Sequence, residues 1–449
     1  METEQYIVAL EIASSKIVGA VAKKDPYGGF SLLAIEEEPH VDCVKYGCIQ
    51  NVEECNLRVN RIINKLENRV TIAPRKIKSV FVGIEGNTLR SLMSHSQLTL
   101  SEEATINEKH IESLKESSKR SYTGAFEVLD VIPCRYSIDK NKIKNPIGII
   151  GSYVEAEQNL ILAKQQIKMN IRRVIEERSQ LKIKGYIITP IAVGEKVLTY
   201  DEVQLGCMLV DFGAETTKVS FYKNDSLIYL ATMPIGSRNI TRDISTRNLV
   251  PEKAEDLKKK IGNALMPEKE HPLMIEGINS TDVSNIIVAR AGEIAANITA
   301  QIEYAGFTSA DLPAGIILIG GGSNLKGFPE LMKQQTNMKV RLGNTVNLGS
   351  SLDNKEQPLE HIEILSILSK GSELLNGDES CCEKPFAPRP ENDGYMPQQQ
   401  QHQQQHQQTR AQQPTKPHVE KKPSKLKTFI KGLKTSAENI FSENDANDE

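Results

Sequence analysis

The chain has 449 residues, 39% hydrophobic, with 55 Lys+Arg against 58 Asp+Glu for a formal charge of −3. That length exceeds a single core, and the near-balanced charge leaves no overall electrostatic footprint for nucleic acid, so a multi-domain protein without a nucleic-acid partner is expected. No apolar run of roughly 18 residues occurs and Met1 to Gln5 is acidic and polar, which argues against a membrane span or secretory signal and for a cytosolic chain. The seven cysteines are scattered, and Cys43, Cys48 and Cys55 lack the CxxC pairing of a zinc site; reduced core thiols are expected.

In chain order, Tyr6–Ile12 reads as an apolar strand, Ala13, Ser14, Ser15 and Lys16 as a small-residue turn, 17–21 as a second strand and 30–35 as a third. Residues 111–126 show no clean periodicity, whereas 167–183 reads as a helix running into a short strand. About 200 residues after the first hairpin its pattern returns: an apolar strand at 207–210, the turn Asp211 to Thr217, a strand at 219–222 and another at Ser226–Met233. Each copy carries an acid at the mouth of its turn, Glu11 in the first and Asp211 in the second. A duplicated three-strand unit implies two related α/β lobes facing one another.

A helix is expected from near Pro251, with Glu255 and Lys258 on one face as an i, i+3 pair. A longer one spans 283–304, capped by Asp282, with Ile286, Ile287, Ala291, Ile294, Ile298 and Ile302 at helical spacing before Gly306 stops it. The strand 316–319 then leads into Gly320, Gly321, Gly322, Ser323 and Asn324, ahead of a helix near Phe328. Glycines there let backbone amides approach a ligand closely.

Together the three loops have the chemistry of a phosphate and nucleoside site. Ser14, Ser15, Gly213, Thr216 and Thr217 offer hydroxyl and amide donors, and Lys16 a positive charge. Glu11 and Asp211 are expected to hold a hydrated Mg²⁺, which takes one or two carboxylates and keeps several waters.

The chain resembles the bacterial cell-division FtsA family, within the superfamily of actin, heat-shock chaperones and sugar kinases. The resemblance covers roughly residues 5–375 and the far C-terminus. It rests on Val131-Ile132-Pro133, on Asn145-Pro146-Ile147-Gly148, on the run from Met233 to Ile244, on Ala254-Glu255-Asp256-Leu257-Lys258 and on Gly320-Gly321-Gly322. It implies a two-lobed actin-like (duplicated RNase H-like) fold: residues 1–82 and 163–200 as lobe one, 83–162 as an inserted subdomain, and 201–376 as lobe two with the nucleotide loops.

By the same resemblance ATP lies in the cleft. Metal roles fall on Glu11 and Asp211, phosphate roles on both turns including Ala214 and Glu215, and nucleoside roles on Gly236, Glu255, Lys258 and Gly320 to Ser323. Departures are expected to matter. The family's first turn reads Asp-x-Gly where this chain has Glu11 and Ala13, and its Gly-Gly pair is here Ala214-Glu215. Glu215 would place a negative charge near the γ-phosphate, worth about 1–4 kcal/mol of repulsion at ~4 Å. At most a slow ATPase is expected, with no residue assignable as a catalytic base.

Composition changes after about Asn376: prolines and a Gln tract broken by His402 and His406 make 377–423 a disordered linker of about 45 residues, spanning roughly 35–40 Å r.m.s.. Within 424–443, Leu426, Phe429, Ile430, Leu433, Ile440 and Phe441 fall on one helical stripe, and Lys425, Lys427, Lys431 and Lys434 crowd its N-terminal half. Such a helix is too charged to span and lies in the headgroup plane of an anionic leaflet. Gly432 costs about 1 kcal/mol relative to Ala, so the helix is expected to form only on binding. The resemblance then implies a peripheral protein on the cytoplasmic face of the inner membrane at the division site. It implies as partners the tubulin-like FtsZ, other copies of the chain in actin-like filaments, other divisome proteins and anionic lipids. Rival readings are a pilus-assembly adaptor of the same fold and a small-molecule kinase or chaperone-like ATPase.

Overall fold

The computed structural model describes residues 4–25, 29–39, 42–69, 71–266, 274–275, 278–344, 361–377 and 379–383. The linker beyond 383 and the amphipathic helix expected at 424–443, with all its lipid-facing residues, lie outside the described residues.

Two sheets repeat one topology. In the first, Lys182–Ile188, Ser79–Ile84 and Tyr6–Ile12 run parallel, and Lys16–Lys24 and Phe30–Pro39 follow antiparallel. In the second, Val340–Leu342, Gly315–Ile319 and Cys207–Phe212 run parallel before the antiparallel Thr217–Lys223 and Ser226–Met233. The hairpin and third strand of each copy are local in sequence; the parallel neighbours arrive by crossover connections and give no local signal.

Burial on both faces explains the continuous apolar runs. All six residues of Cys207–Phe212 are buried. Successive side chains point to opposite faces, so Cys207 and Leu209 join the core that holds the first sheet, while Met208, Val210 and Phe212 join a second core. That second core is closed by the helix Ser280–Tyr304, whose Ile287, Ala291, Ile294, Ile298 and Ile302 are buried, with Ile286 at the edge. The helix starts ahead of the expected Asp282 cap: the Asn279 side chain accepts from Thr281 N–H at 2.9 Å, and Asp282 sits inside the first turn. Gly306, at φ +73°, ends it as expected.

Between the lobes' first elements lies a subdomain of long antiparallel strands, Arg90–Thr105, Ile150–Ala163 and Glu127–Ile138, joined to the second sheet where Arg90 faces Ala231. The stretch without clean periodicity overlaps a helix, Glu108–Ser121, capped by Asn107. Only Leu114 and Ser118 of that helix are fully buried. A helix that touches its sheet along so thin a line needs almost no apolar stripe.

The expected assignment of 201–376 to the second lobe needs correction. The helix Ile362–Leu374 returns to the first, where Ile362, Ile364, Leu365, Ile367 and Leu368 share a core with Ile7 and Val8. The expected linker also starts too early. Cys381 and Cys382 are buried, Cys381 N–H donates to Tyr6 O at 2.8 Å, and Cys382–Glu383 pairs with Lys76–Ile77. Two apolar thiols at the edge of a core outweigh the polar composition around them. All seven cysteines are free thiols, five of them buried.

Candidate functional site

The two hairpin turns are the same structure built twice. In the first, Ala13 N–H donates to Lys16 O; in the second, Gly213 N–H donates to Thr216 O, both at 3.0 Å. The turns open into a cleft of about 620 Å³ between the lobes, within the usual range of roughly 300–1,000 Å³ for a ligand site. Glu11, Ser14, Ser15, Lys16, Asp211, Gly213, Ala214, Glu215, Thr216, Glu255, Lys258 and Gly320 to Gly322 line it. Sequence reasoning had thus collected most of one wall set from four distant segments.

Three expected residues support the cleft from behind. Thr217 is fully buried and its hydroxyl donates to Ile235 O at 2.7 Å. Ser323 is buried and its hydroxyl donates to Gly320 O at 2.6 Å, fixing the glycine loop. Gly236 lies behind the second turn, where Ser237 N–H and Arg238 N–H donate to Gly213 O and Ala214 O at 2.9 and 2.7 Å. A Cβ on Gly236 would fall 2.4 Å from Ala214 O, so its role is close backbone approach. Its neighbour Ser237 reaches the cleft instead.

Gly320 has φ +83°, and a Cβ there would fall 2.5 Å from Asp211 Oδ1 and 2.6 Å from Phe212 O. The first glycine of the loop is therefore required for strand Gly315–Ile319 to bring the loop against the second turn. Opposite it, Lys258 Nζ holds Glu255 Oε2 at 2.7 Å, Thr241 Oγ1 at 3.0 Å and Ser237 O at 3.2 Å. Burial lowers the Lys258 pKa; burial also works on Glu255, but Lys258 and the Thr241 hydroxyl outweigh it and lower its pKa. Lys259, Lys260 and Lys326 add positive charge to the same end.

Glu215 does not project its charge at the ligand space. Its side chain is fully buried, accepting from Tyr46 N–H at 2.7 Å, from Arg238 at 3.0 Å and from Arg242 at 2.8 Å. Arg238 also donates to Ser14 O at 3.2 Å. The expected repulsion of a γ-phosphate is corrected: two guanidinium groups quench the carboxylate. The group is instead a bridge across the cleft, tying the second turn to Ser14 and Tyr46 of lobe one.

The floor of the cleft holds a charged cluster that sequence reasoning missed. Lys218 lies directly across the hairpin from Asp211. Its ammonium is 2.7 Å from Asp211 Oδ2, contacts Glu85 Oε2 and is itself buried. Burial opposes that charge, yet Asp211 and Glu85 outweigh it and hold the Lys218 pKa well above its ordinary value. Burial, then the nearby Glu363 and Glu85, pushes Glu11 well up; burial, then Asp211, pushes Glu363 up to about 8. Lys218 was legible by counting outward from the turn, seven residues after Asp211. Glu363 was not, since only the returning helix brings it here.

This donor set fits a nucleotide better than it fits the expected Glu11–Asp211 metal pair. Glycine turns, hydroxyls and lysines surround a space of the right size. Glu11 is pushed towards its neutral form, and Asp211 already carries an ammonium on one oxygen. Asp211 Oδ1 and Glu85 Oε1 are buried without a hydrogen-bond partner, but among the described residues no group of three or more His, Cys, Asp or Glu is arranged to hold a metal ion.

Two duplicated lobes enclosing such a cleft, with a subdomain inserted in the first, define an actin-like protein. Its fold matches a chain of a PilM–PilN type IV pilus biogenesis complex over 82% of this chain and 97% of that one, at a TM-score of 0.56 and 14% identity. Residues 208–359 match the family model for cell division protein FtsA, and 86–162 the model for the SHS2 domain inserted in FtsA. The chain is 30% identical over 380 residues to the cell division protein FtsA of Porphyromonas gingivalis, covering 81% of this chain and 78% of that protein. It is 26% identical over 397 residues to that of Escherichia coli, covering 83% and 92%. The chain belongs to the FtsA family of cell-division proteins.

Proposed function

We propose that this chain is an ATP-binding adaptor that ties FtsZ polymers to the cytoplasmic face of the inner membrane at the division site and helps assemble the septal ring. Membership of the division family supports the process, and the matched phosphate turns around one cleft support the nucleotide. The cleft is the observation that carries the ATP reading. The anchor is the stripe Leu426, Phe429, Ile430, Leu433, Ile440 and Phe441 with Lys425, Lys427, Lys431 and Lys434. Burying its large apolar side chains contributes about 1.5–3 kcal/mol each, which offsets the cost of ordering the helix. Among the described residues no helix is long and apolar enough to cross a membrane, and an interfacial helix needs none.

The adaptor is a slow ATPase at most. Ala13 and Ala214 put methyl groups where backbone is expected to meet phosphate. Self-association into actin-like filaments and contact with other divisome proteins follow from the family reading. Co-sedimentation with anionic vesicles and FtsZ polymers, using the full chain and a chain lacking 424–449, tests the function. Full-length protein is expected to carry FtsZ into the vesicle fraction and the truncated chain to leave both behind. Vesicle binding by the truncated chain would overturn the anchor, and vesicle binding without FtsZ would overturn the adaptor.

A further inference from the structure

The buried floor of the cleft sets Lys218 where a charge-neutralising metal would be expected to act. Asp211 and Lys218 are paired residues on the two strands of one hairpin, which places their side chains on the same face with Cβ atoms about 5 Å apart. The ammonium lies 2.7 Å from Asp211 Oδ2 and also contacts Glu85 Oε2. The three side chains are between 7% and 10% exposed. Its burial and its two carboxylate partners hold the Lys218 ammonium at this point.

A divalent ion ligated directly by Asp211 would sit about 2.1 Å from its oxygen, within a few ångströms of that ammonium. An ammonium has three donors and no lone pair, so it can only repel the ion. Magnesium also demands near-octahedral oxygen ligation, and the two acids nearest this point already share one cation. Lys16 of the first turn lines the same cleft, with Lys258, Lys259, Lys260 and Lys326 at its other end.

We propose that Lys218 is a resident cation that takes the place of the metal, so that this cleft binds the polyphosphate of a nucleotide without requiring Mg²⁺. The inference rests on the ATP reading given above. It makes Lys218 a positioning residue: it neutralises Asp211 and Glu85 so that both acids tolerate phosphate nearby. The unpartnered oxygens Asp211 Oδ1 and Glu85 Oε1 are then acceptors for water carried in with the nucleotide.

The test is ATP binding to the full chain by calorimetry, in excess Mg²⁺ and in excess EDTA. The two dissociation constants are expected to agree within about threefold, whereas metal-dependent binding would separate them by about tenfold or more. Tight binding in Mg²⁺ that is lost in EDTA overturns this inference and leaves the ATP reading intact; no binding in either buffer overturns both. Water-proton relaxation with Mn²⁺ supplies a second readout on the unaltered protein. Mn²⁺ is expected to bind the ATP-loaded chain no more tightly than it binds ATP alone, and a clearly tighter ternary site would overturn the inference. Lys218→Gln, with folding checked by its thermal melt, is expected to create the metal dependence: about tenfold weaker ATP binding in EDTA than in Mg²⁺.

Discussion

Replacing Glu215 by Ala should loosen the contact between the lobes. The substitution removes a fully buried carboxylate and leaves Tyr46 N–H, Arg238 and Arg242 without their acceptor. Charged hydrogen bonds contribute about 1.5–3 kcal/mol each, but the three are not additive. Arg238 and Arg242 are 27% and 45% exposed and recover water when released, which discounts their share. The Tyr46 amide, facing a small new void, recovers least. A net loss of about 2–3 kcal/mol follows, at or below the low end of the ~3–5 kcal/mol for breaking an entirely buried pair. With an m-value of about 3 kcal/mol/M, the urea midpoint should fall by about 0.7–1 M. Glu215→Gln keeps an acceptor for Tyr46 and should lose about half as much. Hydrogen exchange read at Tyr46 reports the local effect, and the Ala variant should accelerate it far more than the Gln variant. If the Ala variant leaves both the midpoint and the Tyr46 amide unchanged, the bridge across the cleft is not an energetic link.

Three further outcomes follow. Gly320→Ala must resolve contacts of 2.5 Å and 2.6 Å with Asp211 Oδ1 and Phe212 O at φ +83°; a loss of about 2–4 kcal/mol and weakened ATP binding are expected, and an unperturbed melt would contradict that geometry. The Glu363 carboxyl is pushed from an ordinary 4.5 up to about 8 in the fold, so the folded state keeps a proton that the unfolded chain releases. Its stabilising contribution is full below pH ~4.5 and declines as pH climbs through about 8, with Glu11 acting in the same direction. The melting temperature should therefore drop between about pH 4.5 and pH 8 and level off above that. Glu363→Gln should flatten that drop, and an equally steep profile in the variant would refute the assignment. Phe429→Glu sets a charge in the middle of the apolar stripe and should move the chain from the vesicle pellet to the supernatant; continued pelleting would mean that the stripe is not the lipid-binding face.

The sequence by itself determined whatever is local. Tyr6–Ile12 and Ser226–Met233 have the expected bounds because strand period and turn chemistry are written within a dozen residues. The glycine loop after residue 319 and the Glu255–Lys258 pair likewise carry their geometry in their spacing. The helix starts at Ser280 and not after Asp282 because Asn279 and Asp282 are both good caps, and only the backbone path chooses between them.

Tertiary structure decided what depends on partners far along the chain. Glu215 looked like a charge aimed at phosphate until Arg238, Arg242 and the Tyr46 amide closed around it. Asp211 reads from its turn as a metal ligand, and only the fold pairs it with Lys218 across the hairpin and brings in Glu85 from the other lobe. The helix Ile362–Leu374 looked like the end of lobe two until it buried itself against Ile7 and Val8 of the first. The physical reason is common to all three. Residue types and local spacing specify which groups a segment offers, but a carboxylate's role depends on burial and on the charges within a few ångströms, and those are set by contacts between segments hundreds of residues apart.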